Sequence, residues 1–415
     1  PPRSTPFPYT TLFRSDVLHL LTETAFWERS IVKRHLLERL MQRYAQAGAR
    51  EDLLACAKLL DRSRAREYSE ILMRGFEKAF QGRSVAGLPE ELVTAMARHG
   101  VGSITVGVRR GDGAALAEAL KVIANRNLPA DQRRQFIQVL GEVRFREAVP
   151  VLLRLAESEK DDALLQAVFA ALLPFENAQI APTTLSRLPT LTPGASVTAL
   201  TLLTSRAEYA VALVRAVEDQ RVPAKLVPAE FARRLKTFGH TPTLAAIERL
   251  WPQAGQPTTA QMATEITRLA EVLNEGHGDP YNGKRFYTVA CASCHRLFNH
   301  GGDIGPDLTS FNRSDVDSLL LAIVNPSAEI KEGYENFNVE TKDERALSGF
   351  IVSQDERQVI LRGFDGQNVV LPRGEIHTLQ PAGRSLMPEG LLDGFDAQQV
   401  RDLFAYLRSS QPLNE

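Results

Sequence analysis

The stretch that most constrains this chain is Cys291-Ala292-Ser293-Cys294-His295. Two thiols three residues apart lie one helical turn from each other, so each can close a thioether on one of the two vinyl groups of a haem. The adjacent histidine then falls under the iron as an axial ligand. A zinc site would need further soft ligands, and the one remaining cysteine, Cys56, is far upstream. A thioredoxin-like dithiol would follow a strand in a βαβ pattern, and none precedes Cys291. The motif predicts a covalently bound haem c, anchored through Cys291 and Cys294, with His295 on its iron.

A second axial ligand must come from elsewhere. After His295 there is a single methionine, Met387, within Ser385-Leu386-Met387-Pro388-Glu389-Gly390. A thioether is a soft, neutral ligand, and His/Met ligation raises the reduction potential as electron-carrying cytochromes require. A methionine is often core filler, but this one stands in a loop bounded by Pro and Gly and not on an apolar helical face. It is taken as the sixth ligand, with His300 and His377 as the alternatives.

The beginning of the chain needs separate treatment. Thr10 to Ser15 reads as the translation of ACG ACG CTC TTC CGA TCT, the end of a widely used sequencing adaptor, and Phe7-Pro8-Tyr9 continues the frame with Pro6 as a mismatch. Residues 1–15 are expected to be artefactual and are set aside from fold reasoning. The natural N-terminus is expected to be missing.

With 415 residues, 44% hydrophobic and 24% charged, the chain has the length of two or more domains and a globular composition. No apolar run reaches the length of a membrane span. The net charge of −1 conceals an asymmetry. From Asp279 onward 13 Lys and Arg stand against 20 Asp and Glu, a balance of −7, whereas the preceding part holds 36 against 30, or 34 against 30 without Arg3 and Arg14. The acidic C-terminal part argues against nucleic acid there and for a partner with a basic patch.

From Asp16 to about Trp251 apolar residues recur at three- and four-residue spacing, with short Gly, Pro, Asn or Asp breaks. The clearest unit is Arg133–Phe175, where Leu140-Gly141 ends one helix, Ala148-Val149-Pro150 enters the next, and a third follows a polar turn. It resembles HEAT-type repeats, pairs of antiparallel helices stacked into a solenoid. Asp112–Asn125, Ala207–Val217 and Pro242–Leu250 share only the helical periodicity, so an irregular bundle remains the alternative. His19, His35, His99 and His240 are scattered without metal-spaced companions, and Cys56 sits in an apolar run as an inert buried thiol.

The break Trp251–Pro257 marks a domain boundary, followed by a helix over Thr258 to about Glu275. Asp279-Pro280 starts a further helix that delivers Cys291 at its end. Val400, Leu403, Phe404 and Leu407 form the stripe of a last helix, expected to close on the first near Gly283/Phe286 and Phe404/Tyr406. Between them Phe337–Thr341, Leu347–Val352, Gln358–Leu361, Asn368–Leu371 and Ile376–Leu379 alternate as short strands, with a hairpin turn at Asp365-Gly366. Gly305-Pro306 can form a tight turn whose carbonyl accepts a hydrogen bond from His295. Arg313 is either a haem propionate partner, because a guanidinium matches a carboxylate bidentately, or a surface arginine.

Taken together, Cys291-x-x-Cys294-His295, Gly305-Pro306-Asp307-Leu308-Thr309, Arg313, Asn325-Pro326-Ser327, Tyr334, Met387-Pro388 and Asp402-Leu403-x-Ala405-Tyr406-Leu407 resemble one family. It is the Pirellula/Verrucomicrobium-type haem-binding domain, a cytochrome c variant, and the likeness covers about Asp279 to Ser409. The resemblance implies a periplasmic or membrane-associated electron acceptor that follows HEAT-like repeats and works with a sugar or alcohol dehydrogenase domain further upstream.

The expected fold class is mainly α, a HEAT-like α-solenoid over 16–252, a linker and connecting helix over 253–277, and a cytochrome c domain over 278–411 with a β-insertion at about 335–380. That insertion is expected to be a docking surface or a lid over the haem. The expected activity is electron transfer rather than bond-making catalysis, with a dehydrogenase as donor and a downstream cytochrome or oxidase as acceptor. Location is expected to be periplasmic, since such haem attachment takes place on a translocated chain. A haem-based ligand sensor and a helical-repeat interaction scaffold are the rival readings.

Overall fold

A computed structural model describes residues 21–80, 88–99, 104–238, 241–252, 259–302, 304–356 and 358–413, which form a mainly helical chain with a small antiparallel sheet. Residues 1–15, His19, His240 and most of the Trp251–Pro257 break lie outside the described residues. The chain divides into two compact units, 1–152 and 153–415. Among the described residues no helix is long and apolar enough to cross a membrane.

The first unit holds helices α1 (Thr24–Trp27), α2 (Leu37–Ala47), α3 (Arg50–Arg62), α4 (Arg66–Ala79), α5 (Glu90–Arg98), α6 (Ile104–Arg109), α7 (Gly113–Ala124) and α8 (Ala130–Glu142). Helix α2 shows why they form: Leu37, Leu40, Met41, Tyr44 and Ala45 repeat at three and four residues and are the ones buried. Helix α2 packs on α4, and α3 on α5. The α2–α4 crossing is close, because a Cβ on Gly75 would stand 2.1 Å from the Glu38 carbonyl oxygen. Cys56 is completely buried here, and burial pushes its thiol up to about 12, so it is an unreactive core group.

Helix α8 corrects a boundary. Gly141 does not end it. The left-handed position falls on Arg144 (φ 53°), where Arg144 N donates to Gly141 O and Phe145 N to Leu140 O, a Schellman arrangement. A second one, with Gln220 left-handed (φ 59°), ends a helix of the next unit. Both lack the glycine that announces such an end.

After α9 (Val149–Ser158), the second unit continues with α10 (Asp162–Leu172), α11 (Ile180–Arg187), α12 (Pro193–Leu203), α13 (Ala207–Glu218), α14 (Ala229–Leu235) and α15 (Thr241–Leu250). The side chains of Asp161 and Thr192 cap α10 and α12. Helix α10 packs on α12, α11 on α13, and α13 on α15, so alternate helices stack.

Then come α16 (Thr259–Asn274), α17 (Pro280–Ala290), a two-stranded ribbon β1 (Arg296–Leu297) and β2 (His300–Gly301), α18 (Val316–Val324), strands β3 (Asn336–Thr341), β4 (Ala346–Gln354), β5 (Gln358–Arg362), β6 (Asn368–Pro372) and β7 (Ile376–Pro381), and α19 (Ala397–Leu407). The five long strands lie where the period-two alternation puts them. Their order is β6-β5-β4-β3-β7, antiparallel throughout, with Val339, Leu347, Phe350, Val359, Leu361 and Leu371 buried.

The sheet is seated on α12–α14. Ala346 N donates to Ser205 O at 2.9 Å, and Arg206 reaches the Asp343 carbonyl at 2.5 Å and carboxylate at 3.0 Å. Arg234 donates to the Ala346 carbonyl, and Phe231 meets Phe364 edge-on at 5.9 Å. At the other side α17 and α19 cross with almost no gap: a Cβ on Gly283 would lie 1.9 Å from the Asp402 carbonyl oxygen. The rings of Tyr287 and Tyr406 meet at 5.3 Å beside that crossing, and Asp402 accepts from Asp279 N at 2.7 Å.

Candidate cofactor site

Helix α17 begins where the Asp279 side chain accepts from Tyr281 N and Pro280 takes the first helical position. It ends at Ala290, so Cys291 to His295 form the turn that follows. Four backbone bonds shape that turn: Cys291 N and Ala292 N donate to Tyr287 O, and Cys294 N and His295 N to Cys291 O. The buried Tyr287 hydroxyl donates to His295 O at 2.7 Å. Gly302 and Gly305 hold the turn from outside, with Gly302 N donating to Ala292 O and Gly305 N to Cys294 O, both at 2.8 Å.

Glycines make this approach possible. Gly301 has a φ of +118°, and a Cβ there would be 2.0 Å from His295 O. Gly305 lies flat against the imidazole: its Cβ would stand 2.5 Å from His295 Cε1 and 2.8 Å from Nδ1. The next residue orients the ring, since His295 Nδ1 is 2.9 Å from the Pro306 carbonyl oxygen. A carbonyl can only accept, so Nδ1 carries the proton and Nε2 keeps its lone pair. Burial holds the His295 pKa below its usual value, with the Pro306 carbonyl acting weakly the other way. The result is a neutral, aimed imidazole, the form that ligates a metal.

The two thiols sit in an apolar setting. Cys291, packed among Tyr287, Leu297, Leu320 and their neighbours, is pushed up to about 12 by burial, and the Cys294 charge adds to this. Cys294 is raised as well, first by burial and then by the nearby Glu230 carboxylate. Neither favours a thiolate, which is the reverse of what zinc ligation or disulfide exchange needs. Thioether formation consumes the S–H and leaves a neutral sulfur, which such a setting accepts without an ionic penalty.

Met387 lies in the loop before α19. Its N–H donates to Ser385 Oγ at 3.1 Å, and Ser385 N donates to Ser327 Oγ at 3.2 Å, which ties the loop to the end of α18. The loop forms one wall of a cavity of about 580 Å³. Helix α14 with the residues after it forms the opposite wall through Glu230, Phe231, Arg233, Arg234, Lys236 and Thr237, while Asn336, Asn338, Ser348 and Phe364 of the sheet region close it. Glu230 lines this cavity, and Cys291, Cys294 and His295 are not among its lining residues. His300 and His377 are exposed, on β2 and on the edge strand β7, and do not line it.

Arg313 has other work. Its Nη1 donates to Leu407 O at 2.7 Å and to Ser409 O at 2.6 Å, and its guanidinium covers the Phe298 ring at 5.0 Å. Through Nη1 it therefore clamps the open carbonyls at the end of α19, while its Nε is buried without a partner.

Sequence reasoning missed Tyr287, Gly301 and the basic wall on α14. A tyrosine eight residues before a histidine carries no signal of its own. Glu230-Phe231-Ala232-Arg233-Arg234 looks like any amphipathic helix with a solvated charged face.

This donor set is chemically what a c-type haem would use: two neutral thiols, an imidazole with free Nε2, and a thioether facing a cavity in the usual size range for a cofactor site. Among the described residues no group of three or more His, Cys, Asp or Glu is arranged to hold a metal by itself, and a haem iron needs none, since the porphyrin supplies its equatorial ligands. No protein-family model matches the chain and no curated protein matches it, so the function is argued from the site alone.

Proposed function

We propose that residues 278–411 are a cytochrome c-type domain of the Pirellula/Verrucomicrobium haem-binding kind and that the chain carries electrons. The observation that bears most weight is the Nδ1-to-Pro306 hydrogen bond, which leaves the Nε2 lone pair of the Cys-x-x-Cys-His histidine available to a metal. When bound, haem c supplies a one-electron Fe(III)/Fe(II) couple. Cys291 and Cys294 would anchor it through their sulfurs, and His295 and Met387 would hold its iron. Pro306 and Gly305 hold the imidazole in one tautomer and plane, which limits reorganisation on electron transfer. The apolar packing around Cys291 keeps water from the anchored side and favours the reduced, less charged state.

The stacking of alternate helices over α10–α15 supports a HEAT-like reading of the helical part, and these helices of the second unit serve as the surface on which the sheet is mounted. The donor is proposed to be a sugar or alcohol dehydrogenase, associated or fused, and the acceptor a downstream cytochrome or oxidase. The acidic balance beyond Asp279 suits partners with basic patches. Haem attachment of this kind puts the protein outside the cytoplasm.

The test is intact-mass spectrometry of protein exported alongside haem-maturation machinery. One haem mass is expected on the wild type and none on Cys291→Ala/Cys294→Ala. A wild type that gains no mass under these conditions overturns the reading.

A further inference from the structure

Beside Met387 the cavity wall holds an excess of positive charge whose purpose the ligation alone does not explain. Arg233, Arg234, Lys236 and Arg384 line it, against the carboxylates of Glu230 and Glu389. Three of these cations are engaged: Arg234 with the Ala346 carbonyl, Arg384 with Glu389 at 2.5 Å, and Lys236 with Glu248 at 3.9 Å. Arg233 has no hydrogen-bond or ion-pair partner among the described residues, although it is partly buried. Burial weighs on its charge, and Arg384 adds to the strain while Glu389 relieves it only in part.

A half-buried guanidinium without an anion is costly, and a fork of N–H donors facing a cavity fits a planar carboxylate. The wall is also imperfectly satisfied, since Asn336 Oδ1, Arg234 Nε and Glu389 Oε2 are buried without partners. The last is an acceptor and opposes an anion, but its charge is matched by Arg384.

We infer that this cavity receives the two propionate carboxylates of the haem, with Arg233 as their principal partner, so that helix α14 of the helical part completes the cofactor site. The inference rests on the haem reading above. Its physical content is charge and place: four cations face two carboxylates in the lining, and with Lys236 drawn to Glu248 the wall is still positive, the sign opposite to ionised propionates. Met387 lines the same cavity as Arg233, which puts the wall beside the proposed sixth ligand. Arg313, which the sequence offers for this task, does not line this cavity, and its Nη1 is engaged at the end of α19. Such a site makes the potential of the iron depend on residues about sixty positions upstream of the Cys-x-x-Cys-His motif.

The experiment is potentiometric titration of the full chain with haem attached, comparing wild type with Arg233→Gln, Arg233→Lys and Lys236→Gln. A cation ~10 Å from the iron at an effective dielectric constant of ~20 biases reduction on the order of tenfold. Its removal should therefore lower the midpoint by ~59 mV for a one-electron couple. Arg233→Lys keeps the charge and should recover most of the shift. Lys236→Gln should lower the potential in the same direction, and decides the matter should Arg233→Gln fail to fold. Haem attached with unchanged midpoints in the folded variants overturns this inference and leaves the electron-carrier reading standing. A wild type without haem overturns that reading first, and this inference with it.

Discussion

Replacing Gly283 with alanine sets two effects of opposite sign against each other at the crossing of α17 and α19. Helix propensity alone would make Gly283→Ala stabilising by ~1 kcal/mol. The geometry says otherwise. The new Cβ would stand 1.9 Å from Asp402 O, 2.6 Å from Asp402 C and 2.8 Å from Tyr406 Cβ, where ordinary contact begins at 3.4 Å. The obstacle is helix backbone, which cannot rotate aside, so one helix must retreat by ~1.5 Å, and overpacking of that kind costs ~1–3 kcal/mol at the least. The retreat also pulls on the Asp279-to-Asp402 hydrogen bond (2.7 Å), worth ~1 kcal/mol, and on the Tyr287–Tyr406 contact. The expected balance is a loss of ~2 kcal/mol. Amides of α17 and α19 should then exchange hydrogen ~30-fold faster under native conditions, at 1.4 kcal/mol per decade. Unchanged or slower exchange would mean that propensity prevails and that the crossing is not as tight as described.

Three further outcomes follow from the same contacts. Gly305→Ala should displace the His295 ring, since the Cβ would meet Cε1 at 2.5 Å. NMR titration of the haem-free protein should then find the His295 pKa closer to its usual value, from which burial now lowers it. Arg206→Ala should free the Asp343–Ala346 turn from α13 at a cost of ~2–4 kcal/mol, read as faster exchange confined to the ends of β3 and β4. Asp365, half-buried at the β5–β6 turn, has its pKa raised from 3.8 to about 6 in the folded state, mainly by desolvation. The folded protein therefore binds more protons than the unfolded chain between those values, and stability falls as pH rises through that window by up to ~3 kcal/mol. Urea midpoints for Asp365→Asn should lose that decline between pH 4 and 6.5, and an unaltered pH profile would refute the assignment.

What the sequence made legible was local. The Cys-x-x-Cys-His spacing is a property of five adjacent residues. The five strands announce themselves by alternation, because one face of the sheet is buried and each residue reports its side directly. The Asp279-Pro280 helix start is likewise a matter of neighbours. The remainder depended on tertiary approach. Gly301 and Gly305 are required because another backbone or ring passes within 3 Å, which no window of sequence contains. The ends of α8 and α13 escaped notice because Arg144 and Gln220 take the left-handed position that glycine would advertise. Arg313 could be read as a carboxylate partner from its chemistry, but its actual acceptors are the carbonyls of Leu407 and Ser409, more than ninety residues away. The basic residues of α14 were hidden for the same reason: a charged face is normally solvated, and only the fold turns this one toward Met387.

The central claim is tested most directly by the visible spectrum of the exported, haem-loaded protein, oxidised and reduced, beside that of Met387→Ala. The account expects low-spin spectra in both states, with the weak far-red band of an iron–thioether bond in the oxidised wild type and its disappearance in the variant. A wild type that is high-spin and binds carbon monoxide at once would contradict it, since Met387 would then leave the sixth position open and the site would belong to a ligand sensor.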